Sequence, residues 1–215
     1  FTHLSARVPG PEQHFLINPY GMMFDEVSAS NLVKIDFDGN IVLSTGYDVN
    51  PAGFCIHSAI HMSRDDAHAV MHLHTDDGVA VSAMADGLLP ITQTAMIIHD
   101  QIAYHEYEGI ALDLGERERL AADIGDKLAM ILRNHGTLAV GKTVSTCFLT
   151  LYVLERACSM QVRAMAGGNL HQPSADSVKT SREQGRMLMA SGEMDQLAWP
   201  ALLRMLDRKD SGFRQ

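Results

Sequence analysis

With 215 residues, 46% hydrophobic and 20% charged, the chain is long enough to bury the core of one large domain, or of a domain with a C-terminal appendage. Its 17 Lys and Arg against 26 Asp and Glu leave a net charge of -9, which disfavours binding to the phosphate backbone of nucleic acid. No run approaches the ~18 uninterrupted apolar residues of a membrane span, so neither nucleic acid nor membrane is an expected partner. Cys55, Cys147 and Cys158 show no C-x-x-C spacing and cannot all pair internally, so they read as reduced thiols of a cytoplasmic protein. The chain opens at Phe1 without a signal-peptide pattern, and a segment trimmed upstream is expected.

In chain order, Phe15-Leu16-Ile17 reads as a strand stopped by Asn18-Pro19. Leu32 to Asp36 and Ile41 to Leu43 then flank a turn at Asp38-Gly39 and predict an antiparallel hairpin. His57 and His61 lie at i, i+4 beside Ile56 and Ile60, so 54–63 is predicted as a helix. The run 69–74 is predicted as a strand and 76–86 as a helix broken at Gly87 to Pro90. Ala95 to Ile98 and Ile102 to Tyr104 look like further strands. Acidic Glu116 and Glu118 suit the start of a helix over about 116–128. Met130 to Arg133 and Thr137 to Val140 read as strands around Asn134-His135-Gly136. The stripe Cys147, Leu151, Leu154, Cys158 and Met165 predicts the longest helix at about 144–166, stopped by Gly167-Gly168. The polar stretch 168–180 reads as a linker, followed by two short amphipathic segments ending near Leu206.

The chemistry points to His72-Leu73-His74. In a strand, residues two apart share a face, so both imidazoles can meet one ion while Leu73 packs behind them. Three protein ligands with one open position define a catalytic rather than a structural metal site, and neutral imidazole is the commonest ligand. Spacing alone does not choose the third ligand, because His57, His61, His68, His99, His105 and His135 all compete. A strand at a sheet edge can equally carry two solvated histidines, and a histidine beside Ile56 or Ile60 is ordinarily a hydrogen-bonded packing residue.

Thr2-His3-Leu4-Ser5-Ala6-Arg7, Phe15-Leu16-Ile17-Asn18-Pro19-Tyr20-Gly21, Ala29-Ser30-Asn31-Leu32-Val33-Lys34, Ile56-His57-Ser58-Ala59-Ile60-His61, His72-Leu73-His74-Thr75 and Arg133-Asn134-His135-Gly136 follow one another. In that order they resemble the class II aldolase and adducin head-domain family. The resemblance runs from the first residue to about 166, and Trp199-Pro200-Ala201-Leu202-Leu203-Arg204-Met205-Leu206-Asp207 looks like the adducin branch. It implies an α/β/α sandwich around a mainly antiparallel sheet over residues 1–167, with 168–215 as linker and helical extension. It also implies a metal held by His72, His74 and His135, zinc by default with Fe2+ or Mn2+ as alternatives, and a homo-oligomer, typically a tetramer.

The resemblance departs where the aldolases keep their acid and base. The glutamate expected about twenty residues before the H-x-H pair falls on Gly53, and the phosphate-binding positions read His3, Tyr20-Gly21 and Pro51-Ala52. A glycine cannot move a proton. The cluster Tyr104-His105-Glu106-Tyr107-Glu108 concentrates groups able to transfer protons, and Tyr104, Glu106 and His57 are the candidate replacements, set against the plainer reading that Glu106 and Glu108 are solvated and Tyr104 packs. Arg64 reads equally as a helix-end cation, and Met187-Leu188-Met189 as docking surface. The expected function is a metal-dependent lyase that cleaves or decarboxylates a small unphosphorylated oxo or hydroxy acid through a metal-stabilised enolate. The alternatives are a noncatalytic adducin-like interaction module and a non-haem iron oxygenase.

Overall fold

The computed structural model describes residues 2–215; Phe1, and with it the expectation of a trimmed start, lies outside the described residues. Seven strands form a single sheet: β1 (His3–Arg7), β2 (His14–Ile17), β3 (Val33–Asp36), β4 (Ala69–Leu73), β5 (Ile102–His105), β6 (Ala129–Leu132) and β7 (Gly136–Gly141). Their order across the sheet is β3-β2-β1-β4-β7-β6-β5. Every neighbouring pair is antiparallel except β5 with β6. The expected mainly antiparallel α/β/α sandwich is the architecture found.

Strand parity sorts the side chains between two helical layers. From β4, β6 and β7, Val70, Met130, Leu132, Leu138 and Val140 pack with Cys55, Ile56, Ala59 and Ile60 of α1 (Pro51–Ser63) and with Leu120 and Ile124 of α4 (Glu116–Ile124). The alternate residues Ala69, Met71, Ala139, Ala129 and Ile131 face Cys147, Leu151 and Leu154 of α5 (Val144–Ala166). That second layer also holds α2 (Asp76–Ser82) and α3 (Gln93–Ile98). Each fully buried Ile or Leu contributes roughly 1.5–3 kcal/mol, so these two faces supply most of the cohesion.

Local chemistry explains where the elements differ from expectation. Ala95 to Ile98 is helical rather than extended: Thr92 caps α3 by accepting from the Ala95 N–H, and Ala95 and Ile98 are buried at i, i+3. The second arm of the predicted hairpin is not a strand. Asp36 binds the Asp38 and Asn40 N–H groups in a tight turn, after which Ile41 makes one bridge to Ile35, and Val42 and Leu43 stay exposed. Helix α1 begins three residues earlier than the apolar pattern indicates, because Asn50 caps it and Pro51 fits its first turn. His3–Arg7, carrying too few apolar residues to read as a strand, pairs with β2 and β4 at the middle of the sheet.

Beyond Gly167-Gly168, α6 (Ala175–Ser191) starts inside the stretch expected to be linker, capped by Ser174, which accepts from the Ser177 N–H. It is followed by α7 (Glu193–Lys209), and both dock on the second layer. Trp199 lies 5.7 Å from Phe148, and Asp195 accepts from the hydroxyls of Ser145 and Thr146. Among the described residues no helix is long and apolar enough to cross a membrane.

Candidate metal centre

β4 ends at Leu73, so His72 is the last inward residue of the strand and His74 projects from the connection to α2. His72 is fully buried, His74 exposed and His135 half-buried. His135 arrives from the turn between β6 and β7, where Asn134 takes the left-handed conformation at φ 55, which Asn tolerates better than most residues. Ser82 braces that turn, its carbonyl accepting from Asn134 N–H and its hydroxyl from His135 N–H. Gly136 is required by space: a Cβ there would lie 2.4 Å from the Leu73 carbonyl oxygen and 3.0 Å from the His74 ring.

The three rings converge with centroid separations of 4.6, 4.7 and 4.8 Å. One ring nitrogen from each lies within 4.8 Å of the others. His72 Nδ1 is 2.9 Å from the Thr137 carbonyl oxygen, which can only accept, so that nitrogen carries the proton and Nε2 is left as a bare lone pair. This Nε2 is 2.7 Å from His74 Nε2. The backbone carbonyl behind His72 is the kind of partner that orients a metal-binding imidazole. The donor set therefore fits a divalent ion that accepts nitrogen ligands.

Electrostatics agree with that fit. Burial, then the neighbouring His135 and His74, holds His72 well below the usual histidine range, partly opposed by the bond to Thr137. Burial, then His74 and His105, lowers His135 to about 4, and burial lowers His74. All three are neutral near pH 7, the form that binds metals.

The trio opens into a cavity of about 600 Å3. Its wall is made by His3 and Tyr20, by Asn50, Pro51, Ala52 and Ile56 of α1 and its cap, and by Tyr107 and Gly109 to Leu112 after β5. Among the described residues no lysine, arginine or carboxylate lines it. At Gly53 the place of a side chain is taken: a Cβ would lie 2.6 Å from His3 Cδ2. His3 is buried, accepts at Nε2 from the Asn50 amide at 2.8 Å, and stacks against His72 with centroids 5.9 Å apart.

The other candidates are not brought to this wall. Tyr104 Oη accepts from the Leu88 N–H, and its ring lies 4.4 Å beneath the Arg133 guanidinium, so it packs between β5 and the 84–88 turn. Glu106 is exposed, while its neighbour Tyr107 stands at the mouth with its ring 6.3 Å from His135. His57 is fully buried behind His3, whose ring it meets edge-on at 5.7 Å. Arg64 pairs with Asp66 and donates to the Lys127 carbonyl, away from the cavity. Tyr107 belonged to the proton-transferring cluster Tyr104 to Glu108 without being chosen from it, and Asn50 and the seat of His3 over Gly53 were not singled out from the sequence. For the latter two only the alternation His3, Ser5, Arg7 carried a signal, since it places three polar groups on the inner face of one strand.

Residues 1–162 match the family described as Class II Aldolase and Adducin N-terminal domain. The chain belongs to this family. The solved aldolase II superfamily protein of Pseudomonas syringae superposes with a TM-score of 0.95 at 51% identity, covering 100% of this chain and 86% of that one. A Caulobacter vibrioides protein named provisionally as a class 2 aldolase is 55% identical over 213 residues, 99% of this chain and 83% of the relative. Alpha-adducin of Mus musculus is 40% identical over 228 residues, and the match covers 100% of this chain and 31% of that protein. The family thus joins aldolases to adducins, and this chain resembles both.

Proposed function

We propose that the chain is a metal-dependent lyase of the class II aldolase type, acting on a small unphosphorylated oxo or hydroxy acid by carbon–carbon cleavage or decarboxylation. The observation that carries the reading is the convergence of the three neutral imidazoles on the mouth of the 600 Å3 cavity. His72, His74 and His135 would hold the ion, zinc by first choice. Bound there, a divalent ion supplies Lewis-acid stabilisation of the negative charge that develops on a substrate oxygen as the bond breaks. The chain's own groups do the rest. Asn50, backed by His3, presents its amide to the substrate, Tyr107 stands where a proton can be delivered from the mouth, and Ala52, Ile56 and Ala111 give the wall an apolar surface. The missing basic side chains favour a substrate without phosphate.

Metal analysis and a substrate panel test this. One equivalent of zinc per chain, lost in His72→Ala together with any lyase turnover of small 2-oxo and 2-hydroxy acids, is the expected result. Absence of stoichiometric divalent metal binding would overturn it.

One observation favours a second reading, a noncatalytic adducin-like interaction module: Gly53 offers no acid or base, and His3 fills the space. Under that reading zinc binds but no panel substrate turns over, and the isolated chain cosediments with actin filaments.

A further inference from the structure

Beneath the cavity floor, side chains of β1 and α1 form a polar cluster that the metal trio does not use. Ser5 Oγ lies 2.5 Å from His57 Nδ1 and 2.7 Å from His61 Nε2, and His61 Nδ1 lies 2.7 Å from the Ala67 carbonyl oxygen. Ser5, His57 and His61 are buried. A carbonyl only accepts, so His61 Nδ1 carries a proton. In the neutral ring His61 Nε2 is then a bare acceptor and takes the single proton of Ser5. With that proton committed, Ser5 Oγ can only accept from His57, so His57 Nδ1 carries a proton and His57 Nε2 is bare.

The same accounting runs from the other end. Asn50 Oδ1 accepts from the Ala52 N–H at 3.1 Å, which orients the amide so that its NH2 donates to His3 Nε2 at 2.8 Å. His3 Nε2 is therefore bare and its proton sits on Nδ1. Two loose ends remain, and both are buried without partners: the bare His57 Nε2 and the protonated His3 Nδ1. They are an acceptor and a donor, on edge-to-face rings whose centroids are 5.7 Å apart. Buried polar atoms are seldom left unpaired, because each costs roughly 1–3 kcal/mol.

We propose that these contacts fix the Nδ1–H tautomer in His3, His57 and His61, with one run of hydrogen bonds from the Asn50 amide to His3, a second from His57 through Ser5 and His61 to the Ala67 carbonyl, and the two runs meeting at the edge-to-face rings of His3 and His57. This arrangement holds the neutral His3 imidazole over Gly53 with its single Nε2 lone pair taken by the Asn50 amide. His57 is thereby a positioning residue that acts through His3. Glycine at position 53 is part of the same device, since any Cβ there would displace the His3 ring. The His3 lone pair is thereby unavailable to a ligand, and the Asn50 amide, whose NH2 has a second proton, is the donor this wall of the cavity offers a substrate oxygen. This last step rests on the reading of the cavity as the substrate site.

Long-range 1H–15N correlation spectra of the full chain with 15N-labelled histidine, at neutral pH and without metal, read which nitrogen of each ring is protonated. The expected result is the Nδ1–H tautomer for His3, His57 and His61, with each ring identified by its own His→Gln variant. Ser5→Ala should change the resonances of both His57 and His3 and leave His72 alone. Gly53→Ala, acting from the other end, should shift His3 Nε2 and leave His61 alone, which keeps the test decisive if one variant fails to fold. An Nε2–H tautomer at His57, or a His3 signal indifferent to both variants, overturns the proposal. Zinc titration of the same samples separates the two readings: intact tautomers without zinc binding sink the lyase reading alone, and intact zinc binding with the wrong tautomers sinks this one alone.

Discussion

Two groups of histidines, one on α1 and one at the ends of β4 and β6, differ in where their lone pairs go. His57 and His61 spend theirs within the fold, through Ser5 and the Ala67 carbonyl. His72, His74 and His135 turn ring nitrogens towards one another at the mouth of a cavity, with His72 held from behind by Thr137. Spacing does not distinguish them, since i, i+4 on a helix and i, i+2 on a strand both bring two imidazoles to one face. Burial does not either, because His57, His61 and His72 are all fully enclosed. What separates a ligand from a packing residue is whether the second nitrogen still has something to bind.

Cavity size is no better a guide. A larger groove of about 810 Å3 lies on the opposite face, between β1, β2 and α5, lined mainly by apolar residues such as Leu4, Leu16, Phe24, Phe148 and Leu151. Glu155 and Arg156 also line it, but among the described residues no group of three metal-binding side chains converges there. The smaller cavity has the few polar atoms that fix a ligand's orientation.

The largest expected effect breaks the comparison outright. His72→Ala should cost more than about 100-fold in zinc affinity, since even an outer partner of a metal ligand typically accounts for 10- to 100-fold. His61→Ala should leave the affinity within a few-fold while lowering the melting temperature. Isothermal titration with zinc and thermal melts of both variants check this, and equal losses of affinity would erase the distinction.

Acid sharpens it next. Burial lowers His61 to about 4, against about 6.5 in the unfolded chain. The unfolded state therefore binds the extra proton first, and stability is lost as pH falls from about 6.5 to 4. The loss is roughly 3 kcal/mol if the whole shift is realised. Urea titrations of the metal-free protein between pH 7.5 and 4 measure it, and His61→Gln should flatten the slope. An unchanged slope in that variant would remove His61 from the account.

Packing gives a smaller effect. Gly136→Ala pushes a methyl into the Leu73 carbonyl and the His74 ring, and overpacking of this kind costs about 1–3 kcal/mol. It should lower both stability and zinc affinity, whereas Gly168→Ala, with open space around it, should leave zinc affinity unchanged. Smallest is Asn134→Ala at the left-handed turn, about 1 kcal/mol, with Asn134→Gly near neutral by denaturant titration.

Much of this was legible in the chain. Capping residues and apolar periodicity located α5 to the residue, and the motifs around His72, His74 and His135 indicated both the sheet and the trio. Less legible were the elements whose state depends on contacts made elsewhere. Ala95 to Ile98 is a short apolar run whose strand or helix character is decided by the Thr92 cap and by packing under α5 and α6. His3–Arg7 has strand character only because β2 and β4 hold it on either side.

The sequence by itself determined the paired His72 and His74 through strand period, and through the family resemblance it indicated the layers, His135 and the glycine at position 53 where the glutamate is lost. Only the tertiary structure decided what fills that loss. His3 and Asn50, 47 positions apart, are brought together through pairing of β1 with β4 and packing of α1 on the sheet, and that long-range register seats an imidazole where glycine leaves room. The same register sets Tyr104 and Glu106 aside and brings Tyr107 to the mouth, because adjacent residues leaving a strand face different surroundings.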